Sequence, residues 1–273
     1  MNNWTIDSPQ TLDIDNVRNL RLLAISGRFD VIAHQDPAET VTRLTISEIT
    51  GDPLEIVNTA ERLDIKHGKT DAMVWLTKDN PLSSRNHLVI TVEVPAQTVI
   101  DAKTVSGEGL VTGLNSTVKV SSVSGSIVSD ATKGALSVNT ISGEAIVKDH
   151  QGALSTNSVS GEITASGWLE SIKASTVTGD LNFDVLGPIR TVSTNSVSGS
   201  VLLRLPEELS CQVLANSLSG SINVNEESIK VIGSTTRQFG DPKQPMVKIS
   251  VNSVSGSITV FNRLSRHEQE GVQ

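Results

Sequence analysis

An all-β fold, a parallel β-solenoid with about eighteen residues per coil, follows from three features of the amino-acid sequence. A short word recurs along most of the chain, apolar residues alternate on both sides of each copy, and the composition suits short strands. The clearest copy runs from Gly134 to Gln151, with Leu136, Val138, Ile141, Ser142, Gly143 and Val147 as its repeated letters. Every copy carries a hydrophobic-Ser/Thr-Gly triplet, whose glycines are Gly107, Gly125, Gly143, Gly161, Gly179, Gly199, Gly220 and Gly256. Their spacings are 18, 18, 18, 18, 20, 21 and 36, and a fixed period of this size marks a stacked repeat.

The first strand of each coil precedes the triplet. Seven residues before the glycines stand Ile100, Val118, Leu136, Leu154, Ile172, Val192, Val213 and Ile249. Five before stand Ala102, Val120, Val138, Thr156, Ala174, Thr194, Ala215 and Val251. This is the alternation of a half-buried strand. The second strand follows, with pairs such as Ala145 and Val147, Ile163 and Ala165, and Leu181 and Phe183 two and four residues after the glycine.

Inward residues are odd-numbered from the glycine in the first strand and even-numbered in the second, so the phase flips at a corner. The residue two before the glycine is apolar in every copy, Ile141 among them, and is expected inside. The glycine then meets either a positive φ or a close backbone approach. Ser or Thr stands one and three before each glycine, and stacking turns these into two hydroxyl ladders able to bond to one another or to the turn backbone.

Two short strands bury nothing alone, whereas in-register stacking lines each apolar column along one core. Right-handed winding is preferred. A left-handed hexapeptide coil also spans eighteen residues, but its apolar position every six residues is missing here.

The domain expected is one elongated solenoid over residues 1–262, with an irregular N-terminal β region at 1–97 and regular repeats at 98–262. Leu20, Leu22, Ile25, Ser26, Gly27, Phe29 and Val31 fit the template as a distant first copy. From Val41 to Val94 the pattern stays β-like, including Met73 and Trp75, and is expected to cover one flank or end of the solenoid, since an open end would template aggregation. The stretch Asp79–Ser84 reads as a loop. Between Gly220 and Gly256, a coil at about 225–246 lacks a triplet and is expected to loop out, so the binding surface is expected on one strand face or on the Gly233–Pro245 loop. The tail 263–273 is expected to be flexible.

Composition narrows function. Hydrophobic residues make up 37% and aromatic residues 3%, with no Tyr. A net charge of −8 and a pI near 5.1 oppose binding to phosphate backbones and anionic lipids, so neither nucleic acid nor direct membrane insertion is expected. The N-terminus shows no export signal and no apolar run is long enough to span a membrane, which gives a cytoplasmic expectation, with the cell surface as the alternative only by a route not visible in the sequence. Cys211 is the single cysteine and reads as a small buried residue rather than a reactive thiol. No cofactor is implied, and the oligomeric state is open.

The repeated triplets, above all Asn195-Ser196-Val197-Ser198-Gly199-Ser200-Val201 and Asn252-Ser253-Val254-Ser255-Gly256-Ser257-Ile258, resemble the bacterial putative-adhesin family of β-strand-repeat proteins, a domain family of unknown function. The likeness runs from about Leu20 to Phe261. It implies a right-handed β-helix-like fold and supplies no catalytic residues.

No chemistry-bearing motif stands out. His34, His67, His87, His150 and His267 are dispersed, with no metal-ligand spacing. The serines form no nucleophile elbow. Trp4, Trp75 and Trp168 are isolated, which disfavours a sugar-cleaving groove. One charged column follows the glycines, where Glu144, Glu162 and Asp180 form either a cation site or, the preferred reading, a solvated acidic edge. The expectation is therefore a non-catalytic scaffold or adhesin-like binding module for a protein or polysaccharide. A carbohydrate-active enzyme of β-helix type, a lyase or hydrolase, is the alternative.

Overall fold

A computed structural model describes residues 2–68, 86–207, 209–224, 227–241 and 243–263. Met73, Trp75, the Asp79–Ser84 loop, His267 and the tail beyond Arg263 lie outside these residues. Among the described residues there are 22 strands and no helix. Their contacts gather into two units, Met1–Glu144 and Ala145–Gln273.

In the first unit, β1 (Asn2–Ile6) and β2 (Gln10–Ile14) lead into a coil made of β3 (Asn19–Ala24) and β4 (Gly27–Ala33). The chain then forms β5 (Thr42–Thr50), β6 (Leu54–Thr59), β7 (Arg62–His67) and β8 (His87–Val94). Regular coils follow as β9 (Val99–Thr104), β10 (Glu108–Thr112), β11 (Val118–Ser122), β12 (Ile127–Asp130) and β13 (Lys133–Thr140).

The distant first copy is a true coil. β3 lies parallel between β7 and β9, matching Leu20 to Ile100 and Leu22 to Ala102. β4 lies parallel between β8 and β10, matching Phe29 to Gly109 and Val31 to Val111. Gly109 leaves room for the Phe29 ring, which fills the space a Cβ would need. Antiparallel strands close the outer edge in two layers, β6 on β7 with β1 on β6, and β5 on β8 with β2 on β5. They pair the amide and carbonyl groups that an open edge would leave exposed.

The second unit contains β14 (Ala145–Ser158), β15 (Ile163–Thr176), β16 (Leu181–Val185), β17 (Thr191–Ser196), β18 (Val201–Leu205), β19 (Ser210–Val224), β20 (Glu227–Phe239), β21 (Met246–Ser253) and β22 (Ser257–Asn262). Parallel register keeps like positions together, as in Leu154↔Ile172, Ile172↔Val192 and Val192↔Ile249.

The 36-residue spacing has a different cause from the one expected. The stretch at 225–246 does not loop out, because β20 folds back antiparallel along β19, pairing Cys211 with Phe239 and Val224 with Glu227. It needs no triplet because it makes no coil corner. The chain then returns and inserts β21 and β22 between the two preceding coils, so β21 pairs with both β17 and β19, and β22 with both β18 and β19. Gly256 accordingly packs on Gly199, and Gly220 packs on Gly256.

In both units the positions seven and five before and two and four after the repeat glycines are buried. Full burial of a Val, Leu or Ile side chain stabilises by about 1.5–3 kcal/mol, so each coil contributes little alone and the stack contributes much. Asp184 joins the outer surface of the second unit by ion pairs to Arg204 and Arg263, and the Arg204 guanidinium sits 5.6 Å from the Phe261 ring centre.

Candidate functional site

The site is built on the repeat corner. Three before the glycine, the hydroxyl points inward and binds the glycine itself. Thr140 Oγ1 accepts from the Gly143 amide at 2.9 Å and donates to the Gly143 carbonyl at 3.1 Å. Ser122 does the same for Gly125 and Thr176 for Gly179. The hydroxyl one before the glycine donates to a carbonyl of the neighbouring coil, as Ser142 does to Val123 at 3.2 Å and Thr178 to Val159 at 3.3 Å. Both ladders thus bond the backbone rather than each other, and no serine there is poised as a nucleophile.

The glycine column reflects close approach, not a left-handed backbone. Gly125, Gly143, Gly179 and Gly199 have no positive φ, yet a Cβ on any of them would collide with the carbonyl oxygen of the neighbouring coil's glycine.

The residue two before the glycine is a correction to the expected strand phase. Ile141 is 49% exposed, and Val123, Val159, Val177, Val197, Leu218 and Val254 are exposed with it. The hydroxyl and the glycine take the two inward places at the corner, so the two residues between them both face out.

In the second unit the apolar column of this outward pair borders a groove of about 980 Å³, within the usual range of ligand pockets. One wall is an amide ladder four before the glycine. The Asn252 Nδ2 donates to Asn195 Oδ1 at 2.9 Å, and Asn216 Nδ2 donates to Asn252 Oδ1 at 3.0 Å. Two residues further along each coil, beside the ladder, runs the exposed apolar column of Val177, Val197, Val254 and Leu218. Ile232 and Gly233 of β20 border it, with Ile232 84% exposed. None of the described lining residues is ionisable. Sequence reasoning missed this groove; the recurrence of Asn at 157, 195, 216 and 252 beside the apolar column was the signal.

The other candidates fall apart from it. Glu144, Glu162 and Asp180 are all exposed. The Glu162 Oε1 accepts from Asn182 at 3.0 Å, and Asp180 Oδ1 accepts from the Ser200 amide at 3.1 Å. Among the described residues no group of three or more His, Cys, Asp or Glu is placed to hold a metal ion. His67 is fully buried, with Nε2 2.9 Å from the Asp52 carbonyl, and burial lowers its pKa below the ordinary histidine value. His150 is also fully buried. Burial pushes the Cys211 thiol up to about 11, which suits a packed, unreactive side chain. Trp168 is 57% exposed and lies over Gly187. Among the described residues no helix is long and apolar enough to cross a membrane.

Comparison with solved structures gives a match in fold to a putative lipid binding protein from Parabacteroides distasonis. It is 17% identical, covers 94% of this chain and 97% of that one, and has a TM-score of 0.52. A putative adhesin from Bacteroides fragilis is 14% identical over 94% and 97% of the chains, with a TM-score of 0.41. A putative cell adhesion protein from Clostridium sporogenes is 12% identical over 94% and 100%, with a TM-score of 0.28. No curated protein matches the chain. The family model Toastrack DUF4097 matches residues 39–261, most of the sequence and nearly all of its repeats, and the chain belongs to that family.

Proposed function

We propose that the protein is a non-catalytic, adhesin-like binding module, wound right-handed with about eighteen residues per coil, whose ligand seats in the groove of the second unit. The observation that carries this reading is the pairing of an amide ladder with an exposed apolar column, with no ionisable group among the described lining residues, on a stacked parallel frame. Such a surface binds by hydrogen bonding and apolar contact, and its described lining offers no acid, base or activated nucleophile with which to react. A carbohydrate-active enzyme needs two carboxylates about 5–10 Å apart across its substrate, and the described lining supplies neither.

The test is a set of ¹H–¹⁵N spectra that follow the side-chain amides of Asn195, Asn216 and Asn252 while uncharged peptides, oligosaccharides and fatty acids are titrated separately. Fatty acids are included because the Parabacteroides distasonis protein is named as lipid binding. Saturable shifts centred on these amides support the reading. Shifts centred elsewhere, or none with any class, overturn it.

A further inference from the structure

We infer that the groove's ligand is an uncharged, proline-rich peptide in the polyproline II conformation, lying along the direction in which the coils stack. This rests on the binding-module reading above.

The first argument is hydrogen bonding. A carboxamide has two N–H groups, and the ladder takes one each from Asn252 and Asn216. All three amides are exposed, so the wall has donor capacity left for a ligand. A polyproline II chain makes no internal hydrogen bonds and keeps its backbone carbonyls available. Proline adds no backbone N–H that would need an acceptor.

The second argument is dimensional. Neighbouring strands lie about 4.8 Å apart, so Asn195 and Asn216, on coils separated by β21, are about 9.6 Å apart along the stack. Three polyproline II residues advance about 9.3 Å. Residues three apart in such a peptide therefore keep step with Asn195 and Asn216. An extended strand repeats a face every ~6.6 Å and is out of step over the same two coils.

The third argument is surface chemistry. Val197, Val254 and Leu218 offer branched apolar contact to pyrrolidine rings, and the absence of ionisable groups among the described lining residues favours a ligand without charge.

The probe is acetylated, amidated decaproline, followed through the Asn195, Asn216 and Asn252 side-chain amides, with cellohexaose, dodecanoate and a Gly-Ser decapeptide as comparisons. Decaproline should give saturable shifts, whereas the Gly-Ser peptide should bind at least tenfold more weakly. Val197→Lys, at a position 45% exposed, and Asn252→Leu should each weaken decaproline binding at least tenfold with the melting temperature retained. Val123→Lys, on the first unit, should leave it unchanged. Saturable shifts with cellohexaose or dodecanoate but not decaproline overturn the peptide assignment and leave the binding groove standing. No saturable shift with any probe overturns both, as does decaproline binding insensitive to Val197→Lys and Asn252→Leu.

Discussion

The carbonyl oxygen of Gly125 occupies the space that a Cβ on Gly143 would need. The obstacle is backbone, held by the parallel ladder between coils, so it cannot turn aside as a side chain would. Gly143→Ala should therefore cost about 3 kcal/mol or more, at or above the upper end of the usual overpacking range. Exposed Lys148→Ala should change stability by less than about 0.5 kcal/mol. Urea melts of both variants check the difference, and equal midpoints would remove close approach as the reason for the glycine column.

Thr140 is the second fixed point of the corner, because its hydroxyl both accepts from and donates to Gly143. Thr140→Val keeps the shape and leaves the buried Gly143 amide without that acceptor. A loss of about 1–3 kcal/mol is expected, with Thr140→Ser recovering most of it. If Thr140→Ser and Thr140→Val melt alike, the hydroxyl contributes nothing at the corner.

Much of the fold was legible because the core columns obey simple alternation. Leu136 and Val138 are inside as their spacing requires, and the first coil around Gly27 was found from seven matching residues. Ile141 was not legible, since apolarity at a corner does not distinguish a core residue from one lining an outer groove. Leu136→Ala should cost about 2–5 kcal/mol, whereas Ile141→Ala should cost less than about 0.5 kcal/mol; comparable losses would restore Ile141 to the core. The insertion of β21 between β17 and β19 was hidden for another reason. Spacing along the sequence records order in the chain, and only pairing in space records order in the stack. The groove was missed on both counts, because its walls come from coils that are not consecutive and from the strand β20 that carries no repeat.

His67 gives a dependence on pH with a definite sign. Burial lowers its folded pKa, while the nearby Asp52 carbonyl and charge partly oppose that shift. Above the ordinary histidine value, both folded and unfolded chains hold it neutral, and its environment carries no penalty. As the pH falls below that value, the unfolded chain takes up a proton that the folded chain resists, so stability falls until the lowered folded pKa is passed. His67→Gln should flatten this part of the stability curve relative to wild type. Denaturant melts between pH 7.5 and pH 5 (about the range over which an ordinary histidine titrates) decide it, and parallel curves would show that other groups carry the dependence.

The acidic column is best tested by its response to ions. Glu162 and Asp180 each have a carboxylate oxygen accepting from a neighbouring amide, the side chain of Asn182 and the backbone of Ser200. Each bond ties its carboxylate to the next coil, and among the described residues no three carboxylates come together as a metal site. Calcium takes six to eight oxygen ligands and gains affinity from convergent charge, which this arrangement does not gather. Sodium chloride and calcium chloride at matched ionic strength should therefore raise or lower the melting temperature equally, by screening alone. Glu162→Gln keeps the Oε1 acceptor and removes one negative charge from an exposed edge, so its stability should lie within about 0.5 kcal/mol of wild type. A cation site would behave differently: it would add a calcium-specific rise that grows with the logarithm of concentration, and Glu162→Gln would abolish it. Glu144→Gln and Asp180→Asn extend the same titration to the rest of the column, and a calcium-specific rise that any of the three substitutions removes would replace the solvated edge with a binding site.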